Sequence, residues 1–553
     1  MKIIIVGGVA GGATAAARMR RMDEQADIIL YEKGYFISSA TCGLPYYIGG
    51  EIRQREDLLL QNPQGLHRRY ALTVRVDTEV IAIDLGAKTV TVRRRRSRQV
   101  YVETFDKLLL STGAEPIRPP LAGADHPAVF TLRTLMDAEA IREHIRQCDP
   151  SPGVAVVVGG GFIGLEMAEN LHKAGFEVHL VEKADQVIAP LDYAMACIAH
   201  QQMKQRRIHL WLGQEVAQFE AQPTGRRLEV QLQGGRSILA DLVILSVGVR
   251  PDISLARTAG LETGPLGGIV VNPFMQTSHP DVYAVGDAVE VYHPVAAAPM
   301  HLPLAGPAHK QARIAADNII EGNLSTYNGT IGVAIAKIFD LTVASAGASG
   351  KLLKRLNIPY LASYTHGFSH ATYYPTPSAL SIKILFSPQD GRLLGAQIAG
   401  VDGIDKRIEM LSQVIQRQGT VYDLQQLEHA YAPPYSSATD PVNEAGSVAV
   451  NILTGRVKVV HWTEIPLLDF TKDYLLDVRS ASEYSEVHIE GATLIPIDEL
   501  RKHLDEIPRN RRIIVYCAVG KRGYIAARIL MQNGFTEVYN LSGGIRTYHF
   551  AMR

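Results

Sequence analysis

Two segments of this chain pass from a short apolar run through a glycine-rich turn into a helical pattern, and nothing else in the sequence constrains the fold as tightly. In the first, Lys2-Ile3-Ile4-Ile5-Val6 reads as a buried parallel strand and Gly7-Gly8-Val9-Ala10-Gly11-Gly12 as the turn. A helix is predicted from near Ala13 to Arg21, and a second strand, Ile28-Ile29-Leu30-Tyr31, ends in Glu32. In the second, Val154-Ala155-Val156-Val157-Val158 leads into Gly159-Gly160-Gly161-Phe162-Ile163-Gly164, a helix through Ala174, and the strand Val178-His179-Leu180-Val181 ending in Glu182. Apolar strands alternating with helices in this way specify an α/β fold.

Glycines at such turns let backbone N–H groups approach a pyrophosphate at the helix N-terminus, and the acidic residue closing the second strand accepts hydrogen bonds from ribose hydroxyls. The first turn departs from the G-x-G-x-x-G spacing because Val9 holds the second glycine position, whereas Gly159, Gly161 and Gly164 fill all three in the second. Glu182 repels a 2′-phosphate and favours NADH, with neighbouring Lys183 leaving NADPH open. Two such modules imply two dinucleotides, most economically a flavin and a nicotinamide.

At 553 residues the chain exceeds what one core supports and divides into several domains. Lys+Arg and Asp+Glu both total 56, so no global field points to nucleic acid or an anionic membrane as a partner. No uninterrupted apolar stretch reaches the roughly 18 residues needed to span a bilayer, and a cytoplasmic location is expected. The longest basic cluster, Arg93 to Arg96 with Arg98, lies between two strand-like runs and reads as a solvated hairpin end. The four cysteines, Cys42, Cys148, Cys197 and Cys517, include no C-x-x-C pair, which argues against a disulfide framework or a structural metal site. Cys148, at a polar helix end before Asp149-Pro150, and Cys197, in an apolar run, read as structural.

Cys42 sits in Ser38-Ser39-Ala40-Thr41-Cys42-Gly43-Leu44-Pro45-Tyr46-Tyr47, without a cysteine partner nearby. A short helix over residues 43–48 is expected to present its N-terminus to the sulfur and to lower a thiol pKa of about 8.5 by several units. Two further segments support the dinucleotide layout: Leu108-Leu109-Leu110-Ser111-Thr112-Gly113-Ala114, and Val282-Tyr283-Ala284-Val285-Gly286-Asp287-Ala288.

With these motifs, residues 1 to about 450 resemble the flavoprotein disulfide reductases. The resemblance implies that the first site holds FAD, the second NAD(P)H, and that Asp287 contacts the flavin's sugar-phosphate chain. Its assignment of cofactor contacts takes in Gly7, Gly8, Ala10, Gly11, Gly12, Glu32, Lys33, Val80, Thr112, Gly113 and Asp287, together with Gly159, Gly161, Gly164, Glu182 and Gly248. The missing second cysteine places the chain with the single-cysteine branch: NADH oxidases, NADH peroxidases and coenzyme A-disulfide reductases. Oxidase and peroxidase members carry a histidine in the first turn, where this chain has Ala10.

Arg18 and Arg21, three residues apart on one helix face, are suited to the phosphates of a nucleotide thiol. The resemblance to coenzyme A-disulfide reductases places Arg18, Arg21, Ser38 and Thr41 along the coenzyme A channel, Thr41 standing where that family often has asparagine. It also implies a homodimer whose third domain reaches the partner's active site with two tyrosines. Tyr373 and Tyr431 match them, in the loops His370-Ala371-Thr372-Tyr373-Tyr374-Pro375 and His429-Ala430-Tyr431-Ala432-Pro433-Pro434-Tyr435, with Tyr374 and Tyr435 as the alternative assignments.

From about Ile452 the pattern changes and resembles a rhodanese domain, on Leu475-Leu476-Asp477-Val478-Arg479, His488 at a helix start, and Tyr516-Cys517-Ala518-Val519-Gly520-Lys521-Arg522-Gly523. That loop is expected to wrap backbone N–H groups around Cys517 and lower its pKa, with Lys521 and Arg522 adding positive charge to hold a persulfide. Asp477 and Arg479 take structural roles.

Taken together, the two resemblances imply two nested Rossmann-like domains for FAD and NAD(P), an α+β dimerisation domain and a C-terminal α/β rhodanese domain. The division expected is 1–115 with 250–325, 116–249, 326–450 and 451–553. The implied activity is FAD-dependent reduction, by NADH or NADPH, of a coenzyme A persulfide, polysulfide or disulfide at Cys42, with Cys517 carrying sulfane sulfur and coenzyme A as bound substrate or prosthetic thiol. The competing readings are an NADH oxidase or peroxidase working through a Cys42 sulfenic acid, and a non-catalytic sulfur carrier or redox sensor.

Overall fold

The apolar runs pair as parallel strands. Their side chains are buried on both faces, as the full burial of Ile3, Ile4 and Ile5 shows. The structure, a computed structural model, describes residues 1–148, 153–222 and 227–552, which divide into two units: Met1–Asp185 with Arg207–Gly332, and Gln186–Arg206 with Val333–Arg553.

The first unit holds two five-stranded parallel sheets. One runs Val282–Ala284, Lys107–Leu110, Lys2–Val6, Asp27–Tyr31, Thr73–Arg75. The other runs His209–Leu212, Glu177–Glu182, Val154–Val158, Leu242–Leu245, Val129–Phe130. Each is joined by a three-stranded antiparallel excursion, Thr78–Asp84 to Val100–Thr104 in the first and Val216–Ala221 to Ala240 in the second. The arginine cluster occupies an exposed hairpin end closed by Arg94 N donating to Gln99 O at 2.9 Å, as expected.

The first helix spans Ala10–Met22 and so begins three residues before the expected Ala13. Gly11 and Gly12 read locally as turn residues, but Gly12 is helical and lies so close to the preceding strand end that a Cβ would stand 1.8 Å from Gly7 O. The helix packs where only glycine fits, and this tertiary demand overrides local propensity.

In the second unit, strands Ala334–Ile338, Leu341–Gly347, Leu393–Gly400, Ala379–Phe386 and Leu361–Phe368 form an antiparallel sheet with helices Ile404–Gln416 and Pro441–Leu453 beside it. Helix Tyr193–Gln205 belongs here, because Asp192 at its N-cap accepts from Lys383 Nζ at 2.7 Å, Gln397 Nε2 at 2.8 Å and Gly350 N at 3.0 Å. A parallel sheet, Lys458–Val460, Val538–Leu541, Arg512–Tyr516, Asp473–Asp477, Thr493–Leu494, makes the C-terminal α/β domain.

That domain docks on the antiparallel sheet through Tyr364 N to Ser542 Oγ (3.0 Å) and through His366, whose ring nitrogens meet Ser381 Oγ and Thr547 Oγ1, each at 2.8 Å. Burial, aided by the nearby Arg546 charge, pushes His366 down to about 3, so the bridge is a neutral imidazole. Among the described residues no helix is long and apolar enough to cross a membrane.

Candidate active site

Both glycine turns are built the same way. Gly7 (φ +95°) and Gly159 (φ +107°) lie where a Cβ would collide with Ser111 O at 2.1 Å and Ser246 O at 2.4 Å. Gly8 N donates to Glu32 Oε2 at 2.9 Å and Gly34 N to Glu32 Oε1 at 2.7 Å. In the second module Gly160 N donates to Glu182 Oε2 at 2.6 Å and Ala184 N to Glu182 Oε1 at 2.8 Å. Each carboxylate therefore clasps its turn, and with about four acceptor sites it keeps capacity for a ribose.

A Cβ at Gly161 would meet nothing within 4 Å, so the space before the second turn is open to a ligand. A pyrophosphate fits that cradle.

Most of the other expected contacts lie in the first module, whereas Gly248 follows strand Leu242–Leu245 of the second. Thr112 Oγ1 donates to Asp252 O at 2.6 Å, and Asp252 N to Gly113 O at 2.9 Å. Lys33 pairs with Asp252 at 3.1 Å and Glu115 at 3.4 Å. Val80 is buried in the antiparallel excursion, where it pairs with Val92 next to a register shift. Gly248 (φ +120°) accepts from Ile117 N at 3.0 Å. Asp287 lies in the turn Gly286–Ala288, its carbonyl accepting from His301 Nε2 at 2.8 Å; burial pushes its carboxyl up against the charges of Arg133 and His301.

Cys42 is exposed, in a single turn Thr41–Gly43 ahead of helix Leu44–Ile48. Its loop is tied to the first glycine turn by Ser38 N donating to Gly8 O at 2.9 Å, with Ser38 at φ +52°. The expected lowering of its pKa is not what the protein's own groups produce. Although the residue is exposed at the surface, partial desolvation by the protein around its sulfur, then the charges of Glu166 and Asp287, push the thiol up, and its backbone N–H and the Thr41 hydroxyl oppose them without winning. A five-residue helix carries too little dipole to overcome desolvation and two carboxylates together.

Sequence reasoning missed Glu166, which burial raises to about 7 with Glu169 adding to it, while the hydrogen bond from Tyr46 (3.4 Å) works against the shift. Its signal was an acid immediately after Gly164-Leu165, inside a helix that is buried on that side. Arg18 is already engaged, Nε donating to Asp317 Oδ1 at 2.7 Å, whereas Arg21 is exposed.

The hydroxyls of Tyr373 and Tyr431 hydrogen-bond at 2.8 Å on exposed loops. Of the alternatives, Tyr374 packs edge-on against His370 at 5.6 Å, and Tyr435 accepts from Lys406 Nζ through its backbone carbonyl while its ring stays exposed. Cys517 is fully buried at the start of its loop, and Gly520 N (φ +98°) donates to its Sγ at 3.2 Å. Arg522 interacts with this sulfur, but its charge is met by Glu483, which accepts two hydrogen bonds of 2.6 and 2.7 Å and is held down to about 2 chiefly by them. Of the two expected cations only exposed Lys521 is left without that neutralisation.

Asp477 and Arg479 form a buried pair at 2.6 Å, with Arg479 also donating to Val487 O, which makes them structural as expected. His488 follows the end of helix Ala481–Glu486 rather than starting one, and its ring stacks on Tyr484 at 4.0 Å. Cys197 is buried and Cys148 half-buried at the end of helix Leu135–Gln147, with Asp149 and Pro150 outside the described residues.

Residues 1–312 match the pyridine nucleotide-disulphide oxidoreductase family, residues 333–442 its dimerisation domain, and residues 466–551 the rhodanese-like domain. A coenzyme A disulfide reductase of Staphylococcus aureus (strain bovine RF122 / ET3-1) is 35% identical over 447 residues, 80% of this chain and 99% of that protein. The crystal structure of reduced Bacillus anthracis CoADR-RHD superposes with a TM-score of 0.96 at 45% identity, covering 100% of this chain and 98% of the other. The structure of an NAD-dependent persulfide reductase from A. fulgidus does so with 0.92 at 34%, covering 99% and 100%. The chain belongs to the pyridine nucleotide-disulphide oxidoreductases, with a rhodanese-like domain at its C-terminal end.

Proposed function

We propose that the protein is an NADH-dependent reductase of sulfur–sulfur bonds in coenzyme A persulfide, polysulfide or coenzyme A disulfide, acting through Cys42 as a cytoplasmic homodimer. The observation that carries this reading is an exposed thiol, free of any disulfide, on a loop bonded to a glycine turn of dinucleotide type. Room beside such a thiol belongs to a substrate sulfur. The relatives named a coenzyme A disulfide reductase and a persulfide reductase, and the rhodanese-like Cys517 loop, support the same substrate class.

Gly7, Gly8, Gly11, Gly12 and Glu32 would hold FAD, and Gly159, Gly161, Gly164 and Glu182 the nicotinamide. Together, when bound, these cofactors supply the electron pair that a sulfur–sulfur bond takes up. The Cys42 sulfur, as thiolate, attacks the substrate's outer sulfur and breaks its S–S bond, RS⁻ departing to be protonated to RSH. The Cys42 persulfide that remains is then opened by the electron pair so supplied, which restores the thiol and frees H₂S. Tyr373 and Tyr431 of one subunit serve the Cys42 of the other, donating a hydrogen bond to the departing thiolate. Glu166, titrating at about 7, is divided between its acid and carboxylate forms near this thiol at neutral pH. The balance is RSSH + NADH + H⁺ giving RSH + H₂S + NAD⁺. Arg21, Ser38 and Thr41 face the coenzyme A moiety in this reading, and Arg18 does so once it leaves Asp317.

The oxidase or peroxidase alternative lacks an acid–base group at Ala10 and gives the rhodanese-like domain nothing to do. Anaerobic rapid mixing separates the two. Cofactor reoxidation by coenzyme A persulfide, with sulfide released, supports the proposal; reoxidation by peroxide alone rejects it.

A further inference from the structure

We infer that Arg407 and Asp440 are positioning residues for the tyrosine pair: their buried ion pair fastens the roots of the Tyr373 and Tyr431 loops to one another. The inference rests on the role just proposed for those tyrosines.

Neither loop has regular structure of its own. Residues 369–378 connect strands Leu361–Phe368 and Ala379–Phe386, and residues 427–440 connect helices Val421–Gln426 and Pro441–Leu453. Exposed phenols on irregular loops keep a mutual hydrogen bond only if the loops are held against their own conformational entropy.

Arg407, fully buried in helix Ile404–Gln416, reaches both roots. Its Nη2 donates to Ser369 O at 2.8 Å, where the first loop begins. Its Nε and Nη2 donate to the Asp440 carboxylate at 3.1 and 2.7 Å, where the second loop ends. Asp440 accepts from Ser436 Oγ at 2.7 Å and caps the following helix through Val442 N at 2.9 Å. One direct strut joins the loops, Ala371 N donating to Ser436 O at 3.1 Å. The remaining guanidinium nitrogen, Nη1, donates to Gly403 O at 2.9 Å.

Burial raises the Asp440 carboxyl, and the Arg407 hydrogen bonds and charge outweigh it, holding it below the usual carboxylate range. The Asp440 carboxylate therefore stays ionised at neutral pH.

A buried ion pair is weak evidence for stability, because desolvation offsets the attraction; its better attested use is to select one arrangement among several. Here the arrangement selected is the register of two loops whose phenols must meet. The planar five-donor fork of arginine serves three acceptors at once, which the single ammonium of lysine cannot reproduce.

A double-mutant cycle in the full-length holoenzyme tests this, with coenzyme A disulfide as the probe substrate. The variants are Tyr373→Phe, Arg407→Lys and their combination. Since loss of a buried guanidinium endangers folding, Ser436→Ala, which removes only the hydroxyl bridge to Asp440, forms a second arm with and without Tyr373→Phe. Each single change is expected to lower kcat roughly fivefold or more with the KM for NADH unchanged, and the doubles to be no slower than Tyr373→Phe alone.

Losses that multiply, an unimpaired Ser436→Ala, or a matching change in the NADH KM overturn the clamp. A silent Tyr373→Phe overturns the tyrosine role itself and the clamp with it, whereas multiplied losses beside an impaired Tyr373→Phe overturn the clamp alone.

Discussion

Tyr373 and Tyr431, 58 residues apart in the chain, face each other hydroxyl to hydroxyl at 2.8 Å. One phenol donates to the other, so the pair offers one outward-facing proton and acts as a unit. Each of Tyr373→Phe and Tyr431→Phe should lower kcat by roughly fivefold or more, and the double variant should fall little further. Steady-state kinetics with coenzyme A disulfide checks this; independent losses that multiply would show two separate roles.

The hydrogen bond was not legible in the sequence, although its two residues were. Their residue types and loops could be matched to a family pattern, but a contact across 58 residues needs the packed fold. The same limit explains the Cys42 pKa, whose upward push comes first from desolvation by the packed protein and then from Glu166 and Asp287, brought near only by folding. Arg18 was read as open to a phosphate because Asp317 lies far along the chain. The glycine turns and parallel strands were legible because their signals are local: a run of Ile or Val, a glycine at positive φ, an acid at the next strand's end. Even there, the start of helix Ala10–Met22 was misjudged where packing put glycine inside a helix.

Glu166→Gln should speed alkylation of Cys42 at neutral pH. Removing the Glu166 charge stabilises the thiolate, so the alkylation midpoint moves to lower pH. In the unaltered protein this repulsion fades as pH falls through about 7, where Glu166 takes up its proton. Iodoacetamide rates read by intact mass against pH, with buried Cys517 as the internal contrast, check the direction; a midpoint that moves up contradicts it.

Gly161→Ala and Gly164→Ala should fail differently. A Cβ at Gly161 enters open space, so Tm stays unchanged while the KM for NADH rises about 10-fold from loss of close approach to the pyrophosphate. A Cβ at Gly164 lies 1.9 Å from Gly159 O, so that variant loses stability. Thermal melts beside NADH titrations distinguish them.

His366 should make docking of the C-terminal domain sensitive to acid. Its folded pKa, about 3, lies below the ordinary histidine value near 6.5, so the unfolded chain binds the proton more readily. Its contribution is intact above about pH 6.5 and is lost as pH falls toward 3, about 2 kcal/mol of it being gone at pH 5. Urea unfolding at pH 7.5 and pH 5 should show a smaller acid loss in His366→Gln than in the unaltered protein.

The central claim is that Cys42 is where a substrate sulfur is reduced. Its most direct test is anaerobic turnover of coenzyme A persulfide with limiting NADH, comparing the unaltered holoenzyme with Cys42→Ser at matched FAD content. The account predicts one sulfide released per NADH oxidised by the unaltered enzyme and no sulfide release by Cys42→Ser, with NADH still able to reduce the bound cofactor. Sulfide release at the normal rate by Cys42→Ser would contradict it.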